Sequence, residues 1–190
     1  MKQLIISLKI FLFLTILTGV IYPLFITGIA QVIFPAKANG SLVFRDNKAI
    51  GSELIGQQFD SLIYFSSRPS AISYIPLPSG GSNYGLTNIK LKNSVDTCKK
   101  HFIAFNELDS QTEIPSEMLF ASGSGLDPHI SPQSAYLQVE RISKARNFNN
   151  DKKQKLIQCI KNFIELPQYF CLGDERINVL LLNVETDKIK

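Results

Sequence analysis

The sequence predicts an α+β protein in which a single N-terminal transmembrane helix precedes one mixed α/β domain. Residues 10–34 form a long apolar stretch without a charge, and about 150 residues remain for a separate core. In that remainder, helical and strand patterns alternate with tracts rich in Gly, Pro and Ser. The predicted organisation is a short tail at 1–9, a transmembrane helix at 10–36 and a folded domain at 37–190.

The apolar stretch is long enough to span a bilayer. Of its 25 residues, 18 are apolar, and 27 uncharged residues separate Lys9 from Lys37. A helix of that length measures about 40 Å, whereas a bilayer core needs about 20 residues. Its Leu, Ile, Phe and Val residues contribute at most about −5 to −10 kcal/mol of insertion free energy.

Two other interpretations of this stretch remain open. Lys2 and Lys9 give a basic start, and residues 36–38 (AKA) fit the cleavage pattern of a signal peptide, but a signal core is about 7–15 residues long. A buried core helix is the second alternative, although a soluble chain of this size rarely buries 25 residues that are apolar on every side. A retained membrane span fits the length best.

One face of the predicted span carries small and hydroxyl-bearing residues. These residues recur at three- and four-residue spacing and are Thr15, Thr18, Gly19 and Tyr22, followed by Pro23. Small residues allow helix backbones to approach closely in lipid, so this face is a candidate for packing against partner helices. Pro23 is expected to kink the helix or loosen one turn.

The charge distribution indicates on which side of the membrane the folded domain lies and which partners it can bind. Lys2, Lys9 and the terminal amine weakly favour a cytoplasmic N-terminus, which places the folded domain outside the cytoplasm. The chain carries a net charge of +4, of which Lys2, Lys9 and Lys37 account for three. A domain with a net charge near zero is no nucleic-acid binder on electrostatic grounds, whereas the predicted span makes membrane lipid an expected contact.

The remaining chain shows a mixed pattern of elements. Short strands are expected at 41–44, 117–121 and 176–184, with a loop-rich tract at 64–85 and helices at 87–108, 131–147 and from Asn150 or Asp151 onward. Ser131 followed by Pro132 is a strong helix start. Two of the predicted helices carry an inward apolar face at three- and four-residue steps, made by Ala135, Val139 and Ile142 at 131–147 and by Leu91, Val95, Cys98, Phe102 and Phe105 at 87–108. Cys98, Cys159 and Cys171 are expected as free buried thiols, although Cys159 could pair with Cys171, and their spacing makes a zinc site improbable.

Two Gly/Ser loops could bind a nucleotide or a partner. Their candidate residues are Ser79, Gly80, Gly81, Ser122, Gly123, Ser124, Gly125, Asp127 and His129. A strand, a Gly/Ser loop and a helix start in this order can bind an anion through backbone N–H groups, but the lysine of a P-loop is missing. The alternative is a tight turn in which Asp127 accepts from its own backbone. Arg68 could hold an anion or form an ion pair.

Independent catalysis is not expected. His129 and Asp127 could support acid–base chemistry, and Ser122 or Ser124 could act as a nucleophile. However, no G-x-S-x-G elbow is present, and a histidine beside proline turns usually serves as a hydrogen-bonding strut.

Several ordered motifs resemble the C subunit of the Kdp-type potassium-transporting ATPase, the KdpC family. They are LTGVIYPL at 17–24, TGIAQ at 27–31, ANGSL at 38–42, GSELIGQ at 51–57, YF at 64–65, SRPSA at 67–71, SGGSN at 79–83, SGSGLDPHISP at 122–132 and RINVLLLN at 176–183. They extend over nearly the whole chain. The stretch at 94–113 diverges from the more alanine- and arginine-rich helix expected for the family.

The resemblance implies a non-catalytic accessory subunit of an ATP-driven, high-affinity potassium importer in the cell (inner) membrane. It implies three partners: a channel-like A subunit, a P-type B subunit that hydrolyses ATP, and a small F subunit. No tightly bound cofactor is implied, but the family has been proposed to raise the ATP affinity of the pump subunit. If the domain lies outside, it cannot touch cytoplasmic ATP, so that effect would be indirect. Direct ATP contact by the Gly/Ser loops is the alternative.

Overall fold

The computed structural model describes residues 1–189, which form two compact units, Met1–Ile50 and the chain from Gly51 onward. One N-terminal apolar helix and a mixed domain of helices and small sheets confirm the predicted fold class. The helices are α1 (Lys2–Ile16), α2 (Tyr22–Ile33), α3 (Pro35–Ala38), α4 (Ile89–Asn106), α5 (Pro132–Ala145), α6 (Asn150–Asn162) and α7 (Val179–Thr186). The strands are β1 (Leu42–Arg45), β2 (Lys48–Ser52), β3 (His129–Ile130) and β4 (Ile177–Asn178).

The first unit contains a helical segment, Lys2–Ile33, that is long and apolar enough to cross a membrane. Its most apolar window has a mean hydropathy of 2.5, and none of that window is buried within the protein. The segment begins before the predicted span at residue 10, and it ends at Phe34, whose φ of −133° and ψ of 56° are not helical. The predicted boundaries of the span within this helix remain a prediction.

A π-helical turn, Leu17–Ile21, separates α1 from α2. The N–H of Tyr22 reaches the carbonyl of Leu17, one residue further back than in an α-helix. The next residue, Pro23, has no N–H to donate, so the regular hydrogen-bond ladder could not continue there in any case. The expected loosening of one turn beside Pro23 is therefore confirmed.

A short hairpin follows the helical segment. β1 and β2 pair in a two-stranded sheet, and the turn between them holds Asp46 and Asn47 at φ values of 49° and 59°. Positive φ at both central residues is the geometry of a two-residue hairpin turn, and Asn and Asp tolerate it well. The expected turn at Asn47 is confirmed.

Three helices of the second unit begin close to where the sequence predicts them. The side chain of Asn88 caps α4, and Ser131 caps α5 with Pro132 in its first turn, as expected. Asn149 caps α6, one residue before the predicted cap at Asn150 or Asp151. Cap side chains accept a backbone N–H that the helix itself cannot satisfy, so these positions are readable from sequence.

The core of the second unit lies among these helices and the segments that cross them. Its buried apolar members are Phe65, Phe102, Met118, Ile130, Ala135, Val139, Ile142, Leu156, Cys159, Ile160, Ile177, Val179 and Leu182. Ala135, Val139 and Ile142 are spaced by three and four residues, so one face of α5 packs inward. This spacing agrees with the predicted face of α5.

The predicted strand at 117–121 is wrong. Ser116–Met118 form a short 3₁₀ helix, and only Met118 of this apolar run is fully buried, whereas Phe120 stays 40% exposed. Pro115 stands at the start of the turn, and a short apolar run does not itself distinguish a strand from a helical turn.

The predicted strand at 176–184 is largely wrong as well. The strand β4 of this range is limited to Ile177–Asn178, which pair antiparallel with His129–Ile130, and α7 begins at Val179. The side chain of Asn178 accepts from the N–H of Leu181 and caps α7. An asparagine cap in the middle of a run of branched residues therefore ends the strand after two residues.

The predicted loop-rich tract at 64–85 contains neither helix nor strand. Charged and amide side chains of α5 and of the residue that follows it hold the chain that leads into this tract. Arg141 donates to the carbonyl of Leu62 at 2.5 Å, and Gln138 accepts from the N–H of Ser66 at 2.7 Å. Arg146 donates to the carbonyl of Ile63 at 2.8 Å. These buried or half-buried bonds replace the ladder of a sheet and explain how a loop of this length is held.

All three cysteines are free. Cys159 is buried, Cys98 is half-buried and Cys171 is exposed, so only Cys159 matches the expected buried thiol. The open alternative of a Cys159–Cys171 disulfide is not formed.

Candidate functional site

The two Gly/Ser loops singled out in the sequence contact each other in the second unit. The N–H of Gly80 donates to the carbonyl of Ser124 at 3.0 Å. A Cβ at Gly81 would lie 3.3 Å from the carbonyl oxygen of Gly123, so the two backbones approach closely. We call the region where residues 79–83 meet residues 122–127 the loop junction.

Glycine is required at the centre of this junction. Gly125 has φ at +70°, and a Cβ there would meet the side chain of Ile72 at 2.5 Å and the carbonyl oxygen of Gly80 at 3.0 Å. The hydroxyl of Ser70 donates to the carbonyl of Gly125 at 2.7 Å. The junction is therefore a packed backbone crossing that leaves no space for side chains at this point.

Several N–H groups that could hold an anion are already used within the protein. Ser122 donates to the carbonyl of Pro69 at 3.3 Å, and Gly125 donates to the carbonyl of Ser122 at 3.2 Å. Leu126 donates to the hydroxyl of Ser124 at 3.1 Å. An anion-binding loop needs N–H groups that point at the ligand, so this geometry favours the predicted tight turn.

Asp127 is the charged centre of the junction. Its Oδ2 accepts from Nη1 of Arg68 at 2.6 Å, and its Oδ1 accepts from the N–H of His129 at 3.0 Å. Burial raises the pKa of Asp127, but the hydrogen bonds from His129 and Arg68 outweigh it and hold the pKa at about 2. Asp127 thus caps its own backbone, as the tight-turn interpretation expects, and Arg68 forms an ion pair.

His129 also contacts Asp127 through its side chain. Nδ1 of His129 lies 3.4 Å from Oδ1 of Asp127. Ser122 is buried at 4% exposure, and the hydroxyl of Ser124 accepts from a turn N–H. Neither serine forms a hydrogen bond with His129 in the part of the chain that the structure describes. This arrangement indicates a structural hydrogen-bonding role for His129 and does not form a nucleophile–base pair.

The predicted membrane face lies on the exposed helical segment. Gly19 stands in the π-helical turn, and a Cβ there would meet nothing within 4 Å. The hydroxyl of Thr18 donates back to the carbonyl of Leu14 at 2.7 Å, and Tyr22 is 61% exposed. Thr15 and Pro23 are the other two residues of this predicted face. Its residues are exposed within their own unit, and their contacts with a partner remain a prediction.

Sequence reasoning missed a cavity of about 350 Å³ in the second unit. It lies between α4 and the loop at 58–74, and Phe59, Phe102 and Phe105 contribute to its wall. Cys98 and Phe102 were predicted on the inward face of α4. The loop-rich tract that supplies the opposite wall has no periodic pattern that would place it there.

The folded unit and the exposed apolar helix place the chain in a class of protein: membrane-associated proteins with one candidate N-terminal span and a mixed helix–sheet domain. Residues 4–188 match the family model described as KdpC: K+-transporting ATPase, c chain. The chain therefore belongs to the KdpC family, and it is an accessory component of a potassium pump.

Curated relatives match this chain over nearly its full length. Each of the following is named a potassium-transporting ATPase KdpC subunit. The protein of Polynucleobacter asymbioticus is 45% identical over 95% of both chains. The protein of Pectobacterium atrosepticum is 42% identical over all of this chain and 98% of its own. The protein of Leptospira interrogans is 42% identical over 96% of this chain and 92% of its own.

Proposed function

We propose that this chain is a non-catalytic accessory subunit required for assembly and stability of an ATP-driven, high-affinity potassium importer. Its span packs against the channel-like A subunit, and its folded domain lies outside the cytoplasm, where it covers or stabilises the potassium entrance. The P-type B subunit and the small F subunit complete the complex in the inner membrane.

The observation that carries the proposal is the exposed helical segment Lys2–Ile33. None of its apolar residues is buried in its own unit, yet it presents Thr18, Gly19 and Tyr22 on one side. In lipid, apolar side chains gain little by meeting each other, whereas small and hydroxyl-bearing residues favour close helix packing. A helix of this composition suits a subunit that is held by neighbouring helices.

The loop junction supports a structural role for the folded domain. Gly80, Ser122 and Gly125 donate their N–H groups within the protein, and Arg68 pairs with Asp127. No ligand is needed to hold this arrangement together. Any rise in the ATP affinity of the pump subunit then arises through coupling between subunits, and the chain itself binds no cofactor tightly.

Direct ATP binding is the second candidate function. It is favoured by one observation, because Nε of Arg68 is buried beside the loop junction without a hydrogen-bond partner. A phosphate oxygen could accept from that atom. In that case the domain must face the cytoplasm.

Expression of the channel, pump and F subunits with and without this chain tests the leading proposal. We expect a stable complex with potassium-stimulated ATP hydrolysis only when the full chain is present. ATP binding to the purified full-length chain, compared with its Arg68→Gln variant, tests the second candidate. ATP binding that Arg68→Gln removes would contradict a purely structural junction.

A further inference from the structure

A rigid hairpin at residues 165–176 connects α6 to β4. Glu165 and Arg176 exchange two backbone hydrogen bonds of 2.8 and 3.1 Å, and their side chains form an ion pair at 2.9 Å. Further out, Gln168 and Leu172 exchange two backbone bonds of 2.9 Å each. Four backbone bonds in two pairs fix the position of the hairpin tip relative to its base.

The tip of this hairpin is apolar and exposed. Tyr169 is 83% and Phe170 is 92% exposed, and Leu166 and Leu172 beside them are 62% and 59% exposed. These four large apolar side chains are exposed within seven consecutive residues and make an apolar patch at the tip, which is unlike the scattered apolar residues that any surface carries. Such a patch marks a surface that another molecule covers.

The backbone at the tip adds a second, independent observation. Tyr169 and Phe170 have φ values of 53° and 64°, in the left-handed region that favours glycine. A bulky residue is disfavoured there because its Cβ comes too close to the following carbonyl oxygen. Glycine would adopt this backbone conformation without strain, so the two aromatic side chains stand at the tip at a cost in stability. Strain of this kind concentrates at binding and functional sites.

Charge indicates which occupant the tip fits. Glu165 and Arg176 neutralise each other at the base, while Asp174 and Glu175 stand exposed on the returning arm. These two carboxylates would be repelled by an anionic lipid surface. They would attract a protein surface with basic side chains around an apolar pocket.

We propose that the 165–176 hairpin inserts Tyr169 and Phe170 into an apolar pocket with a basic rim on another subunit of the potassium pump. The proposal rests on the accessory-subunit function and assigns one contact surface to it. Rigid aromatic side chains that enter a pocket are the usual energetic centre of a protein interface, and the acidic arm orients the approach. The fixed hairpin reduces the entropy lost on docking.

Phe170→Gly tests the proposal without relying on a destabilised fold. Glycine adopts φ 64° without strain, so the full-length variant should melt at or above the wild-type temperature. In co-expression with the other subunits, we expect its affinity for them to fall at least 10-fold. Leu86→Gly is the control, because Leu86 is 94% exposed on a different loop, and this variant should bind like the wild type.

Cys171 provides a direct readout at the tip because it is exposed next to Phe170. In the wild-type chain alone, a bulky maleimide should label Cys171 readily. In the purified complex, we expect labelling at least 10-fold slower, and Phe170→Gly should restore part of the rate. Equal labelling in both states would overturn the proposal.

The remaining outcomes separate the alternatives. If the wild-type chain fails to co-purify with the other subunits, both the proposed function and the hairpin contact are overturned. If the wild type co-purifies and Phe170→Gly does so equally, only the hairpin contact is overturned. If Phe170→Gly loses binding to vesicles of anionic lipid while complex formation is unchanged, the tip contacts lipid and the proposal is overturned. If Cys171 of the wild-type chain alone becomes protected as its concentration rises, and Phe170→Gly leaves complex formation unchanged, the tip contacts a second copy of the chain and the proposal is likewise overturned.

Discussion

The side chain of Asn183 forms two hydrogen bonds with the backbone of Phe65. The N–H of Phe65 donates to Oδ1 of Asn183 at 2.7 Å, and Nδ2 of Asn183 donates to the carbonyl of Phe65 at 2.9 Å. Both residues are buried, so one amide on α7 satisfies the peptide groups of a loop residue in the core. This pair explains how the loop-rich tract begins inside the protein.

Asn183→Ala should therefore destabilise the second unit strongly. The substitution leaves a buried N–H and a buried carbonyl of Phe65 without partners, and each such group costs about 1–3 kcal/mol. We expect a loss of about 2–5 kcal/mol in the unfolding free energy of the full chain, measured by denaturant titration in detergent. Asn162→Ala is the control, because Asn162 is exposed and its side chain accepts a hydrogen bond from Gln158 on the same helix. An effect of the same size in both variants would contradict the role of Asn183.

Asp127 should make stability sensitive to acid. Its folded pKa of about 2 lies below the ordinary value of 3.8, so its contribution is fully present above about pH 4 and is lost as pH falls toward 2. After allowance for its partial exposure, the contribution is about 1–2 kcal/mol. The unfolding free energy of Asp127→Asn should be lower at pH 7 and should fall less between pH 4 and pH 2.

Glu117 provides the comparison for this experiment. Burial raises its pKa, but hydrogen bonds from Ser131 and Ser134 outweigh that effect and lower the pKa overall. Glu117→Gln should therefore reduce the acid dependence independently of Asp127→Asn. If neither substitution changes the slope of stability against pH, the described carboxylate contacts do not contribute in solution.

Gly19→Leu should disrupt assembly and leave the chain itself folded. A Cβ at Gly19 meets nothing within 4 Å, so any loss of association must come from a partner helix. We expect reduced co-purification with the channel and pump subunits and an unchanged thermal unfolding of the second unit. Val20→Phe also adds four carbon atoms, but Val20 lies about a quarter of a turn further around the helix and serves as the control. Intact co-purification of Gly19→Leu would show that this face does not pack.

The three thiols should react with maleimide in a fixed order in the isolated chain. Burial, and to a smaller extent the charge of Glu185, raise the pKa of Cys159 to about 11, so little thiolate is present at neutral pH. Cys171 is exposed and Cys98 is half-buried. We expect labelling of Cys171 first, Cys98 next and Cys159 only after unfolding, as read by mass spectrometry. A Cys159–Cys171 disulfide in the unreduced protein would contradict this order.

Local signals in the sequence predicted much of the fold. The apolar helix, the cap at Ser131 and the inward face of α5 each depend on residues close in the chain, and the structure contains them. The strands predicted at 117–121 and 176–184 failed because a short apolar run is compatible with either a strand or a helix in a small core. The pairing of Ile177 with Ile130 extends over only two residues and depends on tertiary contacts, so no periodic pattern in the sequence predicts it.

The candidate site was predicted only in part. The tight turn at Asp127 follows from local residue chemistry, because aspartate before proline favours a bond to its own backbone. The contact between Gly80 and Ser124 joins segments that are distant in sequence, so the spacing of residues along the chain did not predict it. The exposed tip at Tyr169 and Phe170 was missed because positive φ at an aromatic residue has no sequence signature.

The position of the folded domain relative to the membrane tests the central claim most directly. An epitope placed after Lys190 in the assembled complex can be digested with protease in right-side-out and in inverted membrane vesicles. The account predicts cleavage in right-side-out vesicles and protection in inverted ones, since the domain acts outside the cytoplasm. Cleavage only in inverted vesicles would contradict it and would favour direct contact with ATP.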